Sequence, residues 1–190
     1  MTSPSPVGRS GHIPGEEGLW VLIFGDMIVF SVFFVSCAMS RAQDVAQFHK
    51  SQALLDQHLG LLNTLLMLTS SWCVAQAVAA VQRQDPRARL YLAGGISGGV
   101  GFVIVKAFEY SAKISHGITL TTNDFFTYYY GLTAIHLIHV LIGLAVLTFT
   151  SSRFKNGRFA APFGLIEGVG AFWHLVDLLW IVLFALLYLL

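Results

Sequence analysis

Long apolar runs alternate with short polar ones along the chain, and the length of the runs decides how they fold. Stretches at 18–40, 60–81, 90–112, 125–150 and 165–190 are predominantly apolar. A bilayer's hydrocarbon core is about 30 Å thick and a helix rises about 1.5 Å per residue, so about 20 apolar residues suffice to cross it. Each run therefore predicts one transmembrane α-helix. The connectors at 41–59, 82–89, 113–124 and 151–164 carry the charges and breakers expected outside lipid, Pro86 and Pro162 among them. The expected fold class is all-α, an integral membrane bundle of five transmembrane helices forming one domain over 18–190. Residues 1–17 are polar and hold Pro4, Pro6 and Pro14. They lack a charged segment followed by an apolar one, so a flexible free tail is expected there rather than a cleaved signal.

Composition strengthens this reading. Of the 190 residues 55% are hydrophobic and 11% charged, whereas soluble domains carry about 25% charged residues. Mean hydropathy is +0.69. A surface so poor in charge suits lipid better than water. The net charge of +1 gives no footprint for nucleic acid. Cys37 and Cys73 fall inside spans, where small apolar packing is expected rather than a disulfide.

Lys and Arg accumulate in cytoplasmic loops. Arg9, Arg83, Arg87, Arg89, Arg153, Lys155 and Arg158 fall on one side, against Arg41, Lys50 and Lys113 on the other. The N-terminus is therefore expected in the cytoplasm and the C-terminus across the membrane. Helix association in lipid must come from packing and internal hydrogen bonds. Gly94 and Gly98, like Gly95 and Gly99, are four residues apart on the third span, which predicts a face that a neighbouring backbone approaches closely.

The chemistry-bearing residues are ionisable groups at membrane depth: Asp26, Lys106, Glu109, His136, His139, Glu167, His174 and Asp177. A charge at the bilayer centre costs at least about 2.5–3.5 kcal/mol, so each group is expected to be neutral, paired or turned into the bundle. Lys106 and Glu109 are three apart and share a face, as do His136 and His139. Glu167 and His174 are nearly eclipsed on the fifth span, with Asp177 one turn beyond. The economical expectation is that these polar stripes face one another. Such a cluster admits a di-metal centre, a proton-handling site at Asp26 or Glu109, or a satisfied network that fixes helix register or holds a lipid headgroup. Against the first, no Glu-x-x-His occurs. There is no P-loop, dinucleotide fingerprint or Cys-x-x-Cys-His haem attachment. Trp20 and the run Tyr128, Tyr129 and Tyr130 read as interfacial anchors.

Four segments carry a family resemblance. GLIEGVGAFWHLVDLLW is similar to the last helix of cytochrome c oxidase subunit III, whose pattern of a Glu, a Gly and then WHxVDxxW is met by Glu167, Trp173, His174, Asp177 and Trp180. TAIHLIHVLIG resembles that family's HxxHVxxG helix through His136, His139 and Gly143. KAFEY supplies Glu109 and Tyr110, and LLNTLLMLTSS supplies Asn63 and Thr64. WVLIFGDMIVF places Asp26 where longer members carry a membrane-buried, carbodiimide-reactive carboxylate that is usually Glu. The resemblance runs from Gly15 onward and fits the five-helix bacterial form, which lacks two N-terminal helices of the seven-helix members.

This resemblance implies a non-catalytic accessory subunit III of a respiratory haem-copper terminal oxidase in the bacterial inner membrane. It would carry no haem, copper or other metal of its own, pack beside a catalytic subunit I that holds those cofactors, bind structural phospholipid and support proton uptake. The GEEGLWVLIFGDM opening and Lys106 equally resemble the accessory protein of bacterial nitric oxide reductase. From a different class comes an independent membrane metalloenzyme using the His and Glu cluster.

Overall fold

The computed structural model describes residues 17–155 and 158–190. The polar tail, Arg9 included, lies outside the described residues except for Glu17, which opens the first helix. Six α-helices follow in order: α1 (Glu17–Gln43), α2 (Val45–Gln52), α3 (Gln57–Gln82), α4 (Ala88–Ser115), α5 (Asp124–Ser151) and α6 (Phe163–Phe184). All but α2 are long and apolar enough to cross a bilayer. The last span closes with a π-helical turn, Ala185–Leu189, rather than continuing as a regular α-helix.

The helices begin where side chains satisfy the free N–H groups of the first turn. Asp56 accepts from the N–H groups of His58 and Leu59 at the start of α3, at 2.9 and 3.3 Å. Asn123 does the same for Phe126 at the start of α5, at 3.0 Å. At the end of α4, Gly117 takes φ of +73°, and the Ile118 N–H reaches back to the Lys113 carbonyl at 3.0 Å. Glycine tolerates that left-handed turn without a Cβ clash, so it stops the helix there.

Two connectors hold structure that the sequence pattern does not announce. The first contains α2, capped by Asp44 on the Gln47 N–H at 3.0 Å. The fourth folds into a two-residue antiparallel pair, β1 (Phe154–Lys155) with β2 (Arg158–Phe159). Residues of the second and fourth connectors, among them Gln84, Asp85, Phe154 and Phe159, line one cavity of about 360 Å³. These two basic connectors therefore share an end of the bundle, as the charge pattern requires. At the other end the Gln57 side-chain amide donates to the Tyr188 carbonyl at 3.0 Å.

The tightest helix pair is α3 with α4, and glycine explains it. A Cβ added at Gly98 would lie 2.7 Å from Ser70 Cβ and 3.1 Å from the Leu66 carbonyl oxygen, so only glycine permits this approach. Helix α6 packs on α3 and α5, while α1 leans on α5 and α6. Most of α1 is exposed apolar surface, with Val21 at 74% and Ile28 at 66%. In lipid such surface carries no penalty.

Candidate functional site

The ionisable residues form three separate centres rather than one. In the first, the three-residue spacing of Lys106 and Glu109 on α4 brings their side chains to 2.9 Å, each 2% exposed. Lys106 Nζ also donates to Tyr188 Oη at 2.9 Å. Glu109 Oε1 accepts from Tyr129 Oη at 2.9 Å and from Tyr188 Oη at 2.6 Å. The ammonium lies 4.8 Å from the Trp180 ring centroid and 5.2 Å from that of Tyr129, within cation–π range. Trp180 is itself held by its indole N–H, which donates to Thr64 Oγ1 at 3.1 Å. Charge, hydrogen bonds and ring faces thus compensate the loss of water on both members of the pair. A cavity of about 430 Å³ lined by Asp56, Glu109, Lys113 and His116 reaches this centre from the end of the bundle.

Tyr129 and Tyr130 correct the expectation of interfacial anchors. Tyr129 is fully buried against Glu109, Tyr130 donates to the Ile118 carbonyl at 2.9 Å, and Tyr128 shares a 2.9 Å hydrogen bond with Ser36 of α1. All three hydroxyls are used inside the protein. The sequence does not mark Tyr129 or Tyr188 as members of the charged centre, because their positions depend on how α5 and the π-helical turn lie against α4. Spacing within one helix carries no such information.

The second centre pairs α1 with α5. Asp26 has no partner on its own helix, but His139 Nε2 lies 3.3 Å from its Oδ2, with the side chains 23% and 17% exposed respectively. His139 Nδ1 is 2.8 Å from the Ile135 carbonyl oxygen. A carbonyl only accepts, so Nδ1 carries a hydrogen. Asp26 Oδ2 makes no hydrogen bond among the described residues, and the Phe30 ring lies edge-on to His139 at 5.6 Å. His136 shares a helical face with His139 but serves differently. Its Nε2 donates to the Val176 carbonyl at 3.0 Å, its ring lies 5.4 Å from Phe102 and 5.3 Å from Trp180, and its Nδ1 has no partner among the described residues. This arrangement holds a neutral imidazole used as a wedge.

The third centre lies on α6 and overturns the expectation that every polar stripe turns inward. Trp173 and Trp180 take the inner face. Trp173 fits a slot where a Cβ at Gly143 would lie 2.6 Å from its ring and one at Gly99 2.8 Å, and its indole N–H donates to Ser70 Oγ at 3.1 Å. At about 100° per residue this puts His174 outside. It is exposed, Glu167 on the same stripe is half-buried, and His174 Nδ1 shares a 2.6 Å hydrogen bond with Ser71 Oγ of α3. Asp177 is 7% exposed; its carboxyl hydrogen-bonds Ser71 of α3, while its Oδ1 has no partner among the described residues. Of the Asn63 and Thr64 pair, Thr64 serves Trp180, while Asn63 is buried with both amide atoms unpartnered among the described residues.

Among the described residues no three His, Cys, Asp or Glu side chains converge as metal ligands. Lys106 occupies Glu109, and His136 and His139 point at different neighbours.

A family model described as cytochrome c oxidase subunit III matches residues 16–190. Among relatives, cytochrome c oxidase subunit 3 of Synechocystis is 30% identical over 190 residues, covering 96% of this chain and 79% of that protein. The protein of the same name from a Bacillus species is 24% identical over 99% of this chain and 93% of its own length. A haem-copper oxidase subunit I+III of Aeropyrum pernix is 27% identical over 92% of this chain, which spans 22% of that longer protein.

Proposed function

This chain belongs to the cytochrome c oxidase subunit III family, and on that premise we propose that it is the non-catalytic accessory subunit III of a respiratory haem-copper oxidase in a bacterial inner membrane. It packs beside the catalytic subunit I, which holds haem and copper, and supports proton uptake there. The observation that carries this reading is the family match over all five spans. The Aeropyrum relative, named as subunits I and III together, supports a subunit I neighbour.

The Asp26 and His139 pair is the proton-related element in this proposal. It is held between two helices at membrane depth, with His139 Nε2 3.3 Å from the Asp26 carboxyl. The Lys106 and Glu109 centre has a different task, fixing α4, α5 and the C-terminal turn in register. Structural phospholipid is part of the proposal as well, since the broad apolar face of α1 suits acyl chains. The shared end of Arg83, Arg87 and Arg153 supports a cytoplasmic N-terminus with the C-terminus across the membrane.

Removal of this chain from the intact oxidase tests the proposal. The remaining catalytic subunit should keep its haem and its initial rate of oxygen reduction but take up protons more slowly. Loss of haem with the chain, or proton uptake unchanged without it, would overturn the reading. The nitric oxide reductase alternative draws on the Lys106 motif and the GEEGLWVLIFGDM opening; it prevails if the large subunit isolated with this chain reduces nitric oxide and not oxygen.

A further inference from the structure

At the end of the bundle away from the basic connectors, the cavity of about 430 Å³ opens between α3 and α4. Asp56 and Leu59 stand on one wall, and Glu109, Lys113 and His116 on the other. Lys113 is 7% exposed, yet its ammonium makes one hydrogen bond among the described residues, to the Leu54 carbonyl at 3.3 Å. Among those residues no carboxylate pairs with it. An ammonium carries three N–H donors, so the chain meets one of them. Asn63 lies one turn beyond Leu59 on the same face of α3. It is fully buried, and neither its Nδ2 nor its Oδ1 has a hydrogen-bond partner among the described residues. Asn63 and Glu109 sit at one level, each about 9 Å inside the helix ends at Gln57 and Ser115.

We infer that this cavity is a water-filled vestibule that continues past Leu59 to Asn63, with ordered water as the ligand of the Lys113 ammonium and the Asn63 amide. A buried charge must be paired or solvated, and a buried amide left without bonds forfeits its hydration for nothing. Water both donates and accepts, so it serves Asn63 Oδ1, Asn63 Nδ2 and the remaining Lys113 donors alike. Acyl chains offer none of these groups a partner. An anion would suit Lys113 but would face the Asp56 and Glu109 carboxylates across the same cavity, and it would bring Asn63 Oδ1 no donor. Lys106, Tyr129 and Tyr188 hold Glu109 from the bundle side while Glu109 lines the cavity. The vestibule therefore brings water and protons from that face of the membrane to the charged centre. This goes beyond the accessory role and holds whichever large subunit the chain accompanies.

The test uses the full chain in its native membranes, with Cys37→Ala and Cys73→Ala as background and one new cysteine, Asn63→Cys or, separately, Leu62→Cys. Leu62 is the next residue along the helix and is 43% exposed on its apolar side. The probe is a membrane-impermeant, positively charged methanethiosulfonate, which reacts with the thiolate and so needs water at the sulfur. Asn63→Cys should label about tenfold faster than Leu62→Cys, although residue 63 is the buried one, and only from the face that carries the α4–α5 connector. Equal or faster labelling at 62, or labelling at 63 from the opposite face, would overturn the inference. Slower labelling of Asn63→Cys on adding chloride or phosphate at constant ionic strength would mark a bound anion and overturn the assignment to water. Should Asn63→Cys misfold, a high-resolution structure of the unaltered complex decides the matter. Ordered water is expected within about 3.2 Å of the Asn63 amide and of Lys113 Nζ, and a dry amide or a lipid headgroup in that space would overturn the inference.

Discussion

The Lys106 and Glu109 centre and the His174 and Asp177 stripe lie in the same bilayer and are built from the same kinds of group. The first has used its hydrogen-bonding capacity within the chain: an ion pair at 2.9 Å, two tyrosine hydroxyls and the face of Trp180. In the second, His174 and Asp177 both reach Ser71, the imidazole is exposed, and one carboxyl oxygen has no partner among the described residues. The first centre ties α4, α5 and the C-terminal turn together, whereas the second joins α6 to α3 and leaves an imidazole on the outer face. The Asp26 and His139 pair stands between them, an imidazole and a carboxyl 3.3 Å apart across two helices.

The comparison breaks most sharply at Glu109. Glu109→Ala strands a buried ammonium, and the chain should lose about 3–5 kcal/mol of stability in detergent, measured by thermal or denaturant unfolding. The double variant Lys106→Met with Glu109→Leu should be less damaging than Glu109→Ala alone, because neither charge is then left unpaired. An equal loss in both would show that packing, and not charge, governs this centre. Tyr188→Phe removes the hydroxyl shared by both charges and should cost about 1.5–3 kcal/mol in the same assay. Gly143→Ala tests the adjoining slot. Its Cβ would lie 2.6 Å from the Trp173 ring, so overpacking should cost about 1–3 kcal/mol. The smallest stability effect belongs to Asp26→Asn, which should cost less than about 1 kcal/mol because an amide still meets His139. In the parent complex, however, it should slow proton uptake, and unchanged uptake and turnover would remove Asp26 from that role.

Much of this was legible in the sequence. Five spans follow from hydropathy over about 20 residues, a signal too long for local conformation to disguise. The Lys106 and Glu109 pair follows from helical periodicity, and the close approach at Gly98 from four-residue spacing of small residues. What stayed hidden depends on how helices rotate against one another. Eclipsed spacing says that Glu167 and His174 share a face but not that the face looks outward. That direction is set by Trp173 seating against Gly99 and Gly143, which come from two other helices. His139 as the partner of Asp26, and Tyr129 and Tyr188 as partners of Glu109, are likewise contacts across helices. The short helix α2 lay hidden because its apolar residues are too few to mark it within a polar connector.

The proposed role requires a chain that assists a catalytic neighbour without holding a redox centre. Purification of the tagged full chain in mild detergent, followed by dissociation and measurement of haem and metal in each separated subunit, addresses that claim most directly. Haem and copper are expected in a large co-purifying subunit and none in this chain. Stoichiometric haem or metal retained by this chain, or its recovery with no haem-bearing partner, would contradict it.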